Sequence, residues 1–341
     1  MDDSTPRAVT MRDVAQAAGV SVSTVSHVVN NKKGARIGKD AWERVQRAIQ
    51  ELGYRPNAMA KDLVKGRSRF IGLVADVIAS TPFAGQIIRG AQDEAWRHGY
   101  VLLVANTEGN EAAETEAIAM MLEHKVRGVL YSAWYHREVE LPAGLSETDC
   151  VLVNCFASGS DVPAVVPDEV AGGREATRML LAAGHRRIGF INTTTPSPAH
   201  DGRLEGYRQA LADAGVPFDP ALVVDARPEQ EGGFDAVGPL LAQEVTGVFC
   251  HNDRVAMGVY DGVRELGRRV PEDLAVVGFD NQEVIAAHLR PPLSTVALPH
   301  YELGQVGVRV LLGLDAAADD GRVVVACPPV HRSSVSITAP A

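Results

Sequence analysis

Between Thr10 and Asn30, apolar residues recur at helical spacing in two short runs, Val14, Ala15 and Ala18 in the first and Val25, Val28 and Val29 in the second. Gly19 lies between them, where a left-handed backbone is needed, so the pattern predicts two helices joined by a tight turn, a helix-turn-helix. Thr10 with Asp13 three residues on has the form of a capping box, and Ser21 is placed to cap the second helix. Small Ala15 lets the two helices cross closely. Trp42, Val45, Ile49 and Leu52 predict a third helix over Lys39–Leu52, ending at Gly53. Gly38 stands at its cap, which costs only a few tenths of a kcal/mol against a Ser or Thr there. Asn57 then opens a helix of barely two turns that stops near Gly66, too short to be stable alone in water.

From Phe70 the pattern changes. Apolar runs at Phe70–Val77, Gly99–Ala105, Gly128–Ser132, Val151–Asn154, Arg187–Ile191, Gly247–His251 and Ala275–Phe279 alternate with amphipathic helical stretches. Such alternation predicts βαβ units and parallel sheets covered on both faces, and the length suits two doubly wound halves. Ligands in open α/β sheets bind beyond the carboxyl ends of the strands, which makes Phe83, Trp134, Asn252 and Asp280 pocket candidates.

Charge divides the chain in the same place. Residues 1–67 hold 12 Lys/Arg and 7 Asp/Glu, a balance of +5; the remainder, from totals of 33 and 43, holds 21 and 36, a balance of −15. A basic module attached to an acidic body suits attraction to a phosphate backbone at one end only, and an architectural DNA binder would be basic throughout. The four cysteines, Cys150, Cys155, Cys250 and Cys327, are scattered in strand-like runs without zinc or redox spacing, and buried free thiols are expected. Met1–Arg7 is polar and no apolar run is long enough to span a bilayer, so a cytoplasmic protein without membrane association is expected. A solute-binding protein without DNA function would share a two-lobed body, but would need export and would have no use for residues 10–67. Gly-x-Gly-x-x-Gly, phosphate-loop and His-Glu-x-x-His motifs are absent and the ten histidines are dispersed, which argues against an enzyme and against a metal or other cofactor.

The helix-turn-helix, the run Gly53-Tyr54-Arg55-Pro56-Asn57 with its short helix, and the strand Phe70–Val74 together resemble the LacI/GalR family of bacterial transcriptional repressors. The resemblance continues through Arg186–Phe190, Arg203-Leu204-Glu205-Gly206-Tyr207, Asn252–Gly258 and Val270–Asn281, in the order expected of that family's effector domain. It implies a headpiece over 1–56, a hinge over 57–68 and a periplasmic-binding-protein-like ligand-binding and dimerisation domain over 69–341. The lobes of that domain would take 69–167 plus 300–327 and 168–299 plus 328–341.

If the second helix enters a major groove, Val22, Ser23 and His27 face base edges, while Ser21, Thr24 and Ser26 reach phosphates. Thr10, Asn30, Tyr54, Asn57 and Ala60 complete the implied DNA contacts. Leu63 matches the leucine that the family wedges into the minor groove, with core packing as its plain alternative. Asp62, beside Lys61, puts an acid near phosphates and weakens the expected hinge contacts.

The resemblance also implies an effector between the lobes, contacted by Asp168, Arg203, Asn252 and Asp280. Arg203 offers a planar fork, and Asp280 and Asn252 accept from hydroxyls, a chemistry that suits a sugar. Phe83, Trp134 and Asp253 are further candidates. Each has a structural alternative: Asp168 as the cap of a helix starting near Glu169, Asp253 as a loop fastener, Phe83 as core, and Trp134 as one of an aromatic cluster with Tyr131 and Tyr135. Asn154, Cys155 and Phe156 stand where many members have an aspartate and an arginine, so the effector cannot be copied from a relative.

One recognition helix reads too few base pairs for specificity, so a two-fold homodimer on a palindromic operator is expected. The chain ends at Ala341 without a heptad tail, which favours a dimer over a coiled-coil tetramer. Ligand closing the lobes would alter the separation of the paired hinges, with induction by a carbohydrate as the default direction.

Overall fold

The computed structural model describes residues 9–30, 37–54, 68–77 and 85–335. The chain divides into two compact units, Met1–Ser68 and Arg69–Ala341.

In the first unit, α1 (Met11–Ala18), α2 (Val22–Val29) and α3 (Lys39–Leu52) enclose a small core of Val14, Ala15, Ala18, Val25, Val28, Val45, Ala48 and Tyr54. The boundaries follow local chemistry. Thr10 Oγ1 accepts from the Asp13 amide while Asp13 accepts from the Thr10 amide at 2.7 Å, and the helix closes on Gly19 at φ 63°. Ser21 Oγ accepts from the Thr24 amide at 3.2 Å and so starts α2. Gly38 precedes α3 without a side-chain cap, and Gly53 ends it in the left-handed region. The proposed hinge helix, with Asn57, Ala60 and Leu63, lies outside the described residues.

The second unit carries two six-stranded sheets. Sheet one has the order β11-β5-β4-β3-β1-β2, with β1 (Phe70–Ala75), β2 (Val101–Asn106), β3 (Val129–Glu138), β4 (Cys150–Phe156), β5 (Ala164–Pro167) and β11 (Arg322–Val325), all paired in parallel. Sheet two has the order β12-β10-β9-β8-β6-β7, with β6 (Ile188–Thr193), β7 (Val223–Ala226), β8 (Gly247–Cys250), β9 (Ala275–Asp280), β10 (Ser294–Ala297) and β12 (Pro329–Val330). Among the described residues the β10–β12 pairing alone in sheet two is antiparallel. Each sheet with its helices forms a lobe. The chain passes between lobes after β5, after β10 and between β11 and β12.

Helices α4 (Gly85–Arg97), α5 (Glu111–Glu123) and α10 (His300–Leu311) pack on sheet one. Sheet two is flanked by α6 (Glu169–Ala182), α7 (Pro198–Asp213), α8 (Gln230–Ala242) and α9 (Asp253–Glu265). The close crossing of α6 and α7 depends on two glycines, because a Cβ on Gly206 would lie 2.2 Å from the Val170 carbonyl oxygen and one on Gly173 would lie 2.5 Å from that of Arg203. The central strands of both sheets are buried on both faces, as continuous apolar runs in parallel sheets require. Five strands of two to four residues, β5, β7, β10, β11 and β12, lie outside the expected runs, whereas β8, also of four residues, falls in one. Conversely, β3 runs six residues beyond Ser132, with a register shift against β4 between Ser132 and Arg137. That extension carries Trp134, Tyr135 and His136 to the carboxyl edge of sheet one.

Candidate functional site

A cavity of about 440 Å³ lies between the carboxyl edges of the two sheets. Strand-end and helix-start segments line it from both lobes: Trp134 to His136 from β3, Thr193 to Thr195 after β6, His251 and Asn252 after β8, Asp280 at the end of β9, and Leu298 and His300 beyond β10. Its position follows from topology, since parallel strands all point their carboxyl ends at one edge and the helices that follow begin there.

Arg203, near the start of α7, is 3% exposed and is held on three sides. Its Nε donates to Glu169 Oε2 at 2.9 Å, its Nη1 donates to the His251 carbonyl, and its guanidinium lies 3.7 Å from the centre of the Phe279 ring. Burial raises the Glu169 pKa, but Arg203 and His136 outweigh it and hold this carboxyl below its usual range. The site thus contains a buried, ionised pair.

Asn252 caps α9, accepting from the Val255 amide at 2.9 Å, and donates through Nδ2 to the Pro228 carbonyl at 3.0 Å. Asp280 ends β9 with φ 99°, a conformation that L-residues rarely adopt, and accepts from Gln282 Nε2 at 2.9 Å. Burial pushes its pKa up, against the pull of Arg203. Asp280, Leu298 and His300 also border a second, open cavity of about 470 Å³ that includes Glu283 and Glu302.

His251 Nδ1 lies 3.1 Å from Asn192 Oδ1, and Asn192 spends its Nδ2 on the His200 carbonyl. Burial, with Arg203 beside it, pushes the His251 pKa well down, so the ring is neutral, carries its proton on Nδ1 and leaves Nε2 as an acceptor. His300 is likewise lowered by burial, to about 4.

Of the residues expected from sequence, Trp134, Arg203, Asn252 and Asp280 line this cavity. Asp168 does not: its Oδ1 accepts from the Ala171 amide at 2.9 Å as the cap of α6, the structural alternative noted above. Asp253 does not line it either. It is fully buried and accepts from the Gln282 amide at 2.6 Å and from Thr295 Oγ1 at 2.7 Å, fastening the loop after β9 to β10. Phe83 lies outside the described residues. Trp134 packs edge-on to Tyr135 at 5.1 Å, whereas Tyr131 turns away to donate to Glu114 at 2.8 Å. Cys155 is fully buried in β4 away from the cavity, and burial pushes its thiol up to about 12. The sequence reading missed His136, Glu169, the Thr193–Thr195 run, His251 and His300. Thr193–Thr195 lie just past the expected run Arg187–Ile191 and His251 ends the expected run Gly247–His251, so a wider reading of the rule that found Asn252 reaches them.

In the headpiece, Ser21, Val22, Ser23 and Asn30 are exposed and Thr24, Ser26 and His27 half-exposed, on the side of α2 opposite the buried Val25 and Val28. Ser21 Oγ lies 2.8 Å from Ser23 Oγ and 2.9 Å from Thr24 Oγ1, and Asn30 Nδ2 donates to the Ser26 carbonyl at 2.9 Å. Thr10 is half-buried and engaged in its capping box, and Tyr54 is 7% exposed in the headpiece core. No helix among the described residues is long and apolar enough to cross a membrane.

Residues 10–57 match the model of the lacI family of bacterial regulatory proteins, and residues 177–335 match that of a periplasmic binding protein-like domain. The ribose operon repressor of Haemophilus influenzae is 32% identical over 308 residues, covering 89% of this chain and 91% of that protein. A transcriptional regulator CelR–cellobiose complex superposes with a TM-score of 0.66 at 31% identity, covering 96% of this chain and 99% of that one. The lac repressor dimer bound to operator and the anti-inducer ONPF superposes with a TM-score of 0.78 at 25% identity, covering 97% and 100%. These relatives are transcriptional regulators rather than enzymes. The chain therefore belongs to the LacI family of bacterial regulatory proteins and is a DNA-binding transcriptional repressor with a two-lobed effector domain.

Proposed function

We propose that this repressor acts in the cytoplasm as a homodimer on a palindromic operator and is switched by a carbohydrate bound between the lobes of its effector domain. The observation that carries the reading is the inter-lobe cavity, whose wall combines Trp134 with the buried polar groups of Arg203 and Asn252 and with the half-buried Asp280. An indole face beside fixed donors and acceptors is what a pyranose or furanose requires. The ribose and cellobiose named for two relatives point the same way.

In this reading Val22, Ser23 and His27 read base edges, and Ser21, Thr24, Ser26 and Asn30 hold phosphates. Thr10 fixes the helix-turn-helix and Tyr54 orients the chain leaving it, while Asn57, Ala60 and Leu63 act at the hinge. Self-association is supported by lobe one: β2 is an edge strand that exposes Val101 and Val104, and Trp96 near the end of α4 is 62% exposed. Ligand that fits one lobe arrangement better than the other shifts the population of DNA-competent dimers.

Selection of genomic fragments by purified protein at stated salt, with and without a sugar panel, tests this. One palindromic site, released by a sugar, is the expected result. Recovery of an asymmetric site, or release by a purine or an amino acid and by no sugar, sinks it.

A further inference from the structure

Glu169 and His136 approach the cavity from opposite lobes. Glu169 begins α6 beside sheet two, and His136 lies on the β3 extension of sheet one. Their side chains are 4% and 6% exposed, and both residues line the cavity. His136 Nδ1 stands 3.4 Å from Glu169 Oε1, yet that oxygen and both ring nitrogens of His136 make no hydrogen bond among the described residues. Buried polar atoms left in this state are costly, and they are found where a ligand completes them.

Their surroundings define what would complete them. Glu169 Oε2 is occupied by Arg203, so Oε1 is a fixed, charged acceptor with nothing to donate. An imidazole can donate through one nitrogen and accept through the other. A hydroxyl also does both, so two neighbouring hydroxyls satisfy all three atoms. A carboxylate or phosphate offers acceptors only and meets Glu169 with like charge. Arg203 is turned to Glu169 Oε2, the His251 carbonyl and the Phe279 ring, and although Arg227 and Arg254 also line the cavity, a group placed against Oε1 meets the open oxygen of a carboxylate first.

We propose that Glu169 and His136 form a cross-cleft pair that reads adjacent hydroxyls of the effector, so that the repressor selects an uncharged polyol over its anionic counterpart. This rests on the effector-site reading above. The same bridging draws the lobes together, because one member of the pair sits on each. Glu169 and His136 are thus specificity residues that also transmit closure.

Calorimetric titration of the full-length protein with three pairs tests it: D-ribose and D-ribose 5-phosphate, D-glucose and D-glucuronate, cellobiose and cellobionate. Wild type should bind at least one neutral member about tenfold or more tighter than its anionic partner, the scale of a hydrogen bond to a charged group. Glu169→Gln, which keeps the shape and removes the charge, should weaken the neutral sugar about tenfold and narrow that preference. His136→Gln leaves the Glu169–Arg203 pair intact and should weaken the same sugar by a similar factor, which keeps the test open if Glu169→Gln proves unstable on melting. If every anionic member binds as well as its neutral partner, or if both variants leave the affinity of the preferred neutral sugar unchanged, the inference is overturned while cleft binding stands. Failure of all three neutral sugars to bind wild type overturns it together with the carbohydrate reading.

Discussion

The two working surfaces of this repressor are built on opposite principles. On α2 and at its cap the polar groups that face outward are exposed or half-exposed, and the hydroxyls of Ser21, Ser23 and Thr24 bond to one another. In the cleft, Glu169, Arg203, His251 and Asn252 are all buried, and each is fixed by partners contributed from distant parts of the chain. Water can replace any lost contact on the first surface, but not on the second. A substitution on the headpiece should therefore alter what is read, and one in the cleft should also alter whether the domain holds together.

Arg203→Ala tests the contrast at its largest. It strands the ionised Glu169 in a buried site, a situation that typically costs roughly 3–5 kcal/mol. The effector domain should lose much of its melting temperature and all response to sugar, while circular dichroism of the isolated transition belonging to residues 9–54 should be unchanged. A small shift in the effector-domain transition would mean that water reaches Glu169 and that the pair is not the keystone the geometry makes it.

His27→Ala should behave in the opposite way. The ring is half-exposed and His27 is not one of the residues that form the headpiece core, so stability should change little, while preference at one half-site position relaxes by about 1–3 kcal/mol. Competition binding against operator variants measures it. Equal weakening on every sequence would assign His27 to the phosphates instead.

The contrast also explains what could be read in advance. The headpiece was legible almost to the residue because its determinants are local: the Thr10–Asp13 box, Gly19 in the left-handed region and the apolar spacing of α1, α2 and α3 act within four positions. Alternating runs disclosed the two sheets, because strands buried on both faces must be apolar throughout. The cleft was half legible. Arg203, Asn252 and Asp280 sit in motifs or just beyond expected strands, whereas Glu169 and His136 become neighbours only because β3 continues past Ser132 and the chain changes lobe after Pro167. His300 follows β10, a strand that lies outside the expected runs. Asp168 and Asp253 carry the right chemistry for ligand contact, but local amides and Thr295 claim their oxygens, a competition that spacing does not reveal.

Ser21→Ala sharpens the comparison at smaller scale. The hydroxyl caps α2 through the Thr24 amide at 3.2 Å and also links to Ser23 and Thr24, so its loss should cost the headpiece about 1 kcal/mol. Because the same hydroxyl is proposed to reach a phosphate, operator affinity should fall for all sequences alike, and the salt dependence of binding separates that loss from instability. A headpiece melting unchanged would place the start of α2 under the control of core packing rather than of its cap.

The smallest effect comes from repairing a cap rather than breaking one. Gly38 precedes α3 in extended conformation, at φ −60° and ψ 143°, and makes no side-chain bond to the helix. Among the described residues a Cβ built there meets nothing within 4 Å, so a larger residue fits there without strain. Gly38→Ser supplies an oxygen for the free amides of the first turn and should stabilise the headpiece by a few tenths of a kcal/mol, whereas Gly38→Ala, with no acceptor, should destabilise it. Denaturant midpoints of the two variants against wild type measure the difference, and the sign decides the matter. If Ala stabilises as much as Ser, the gain comes from restricting the unfolded chain, and the cap has no part in holding α3 in place.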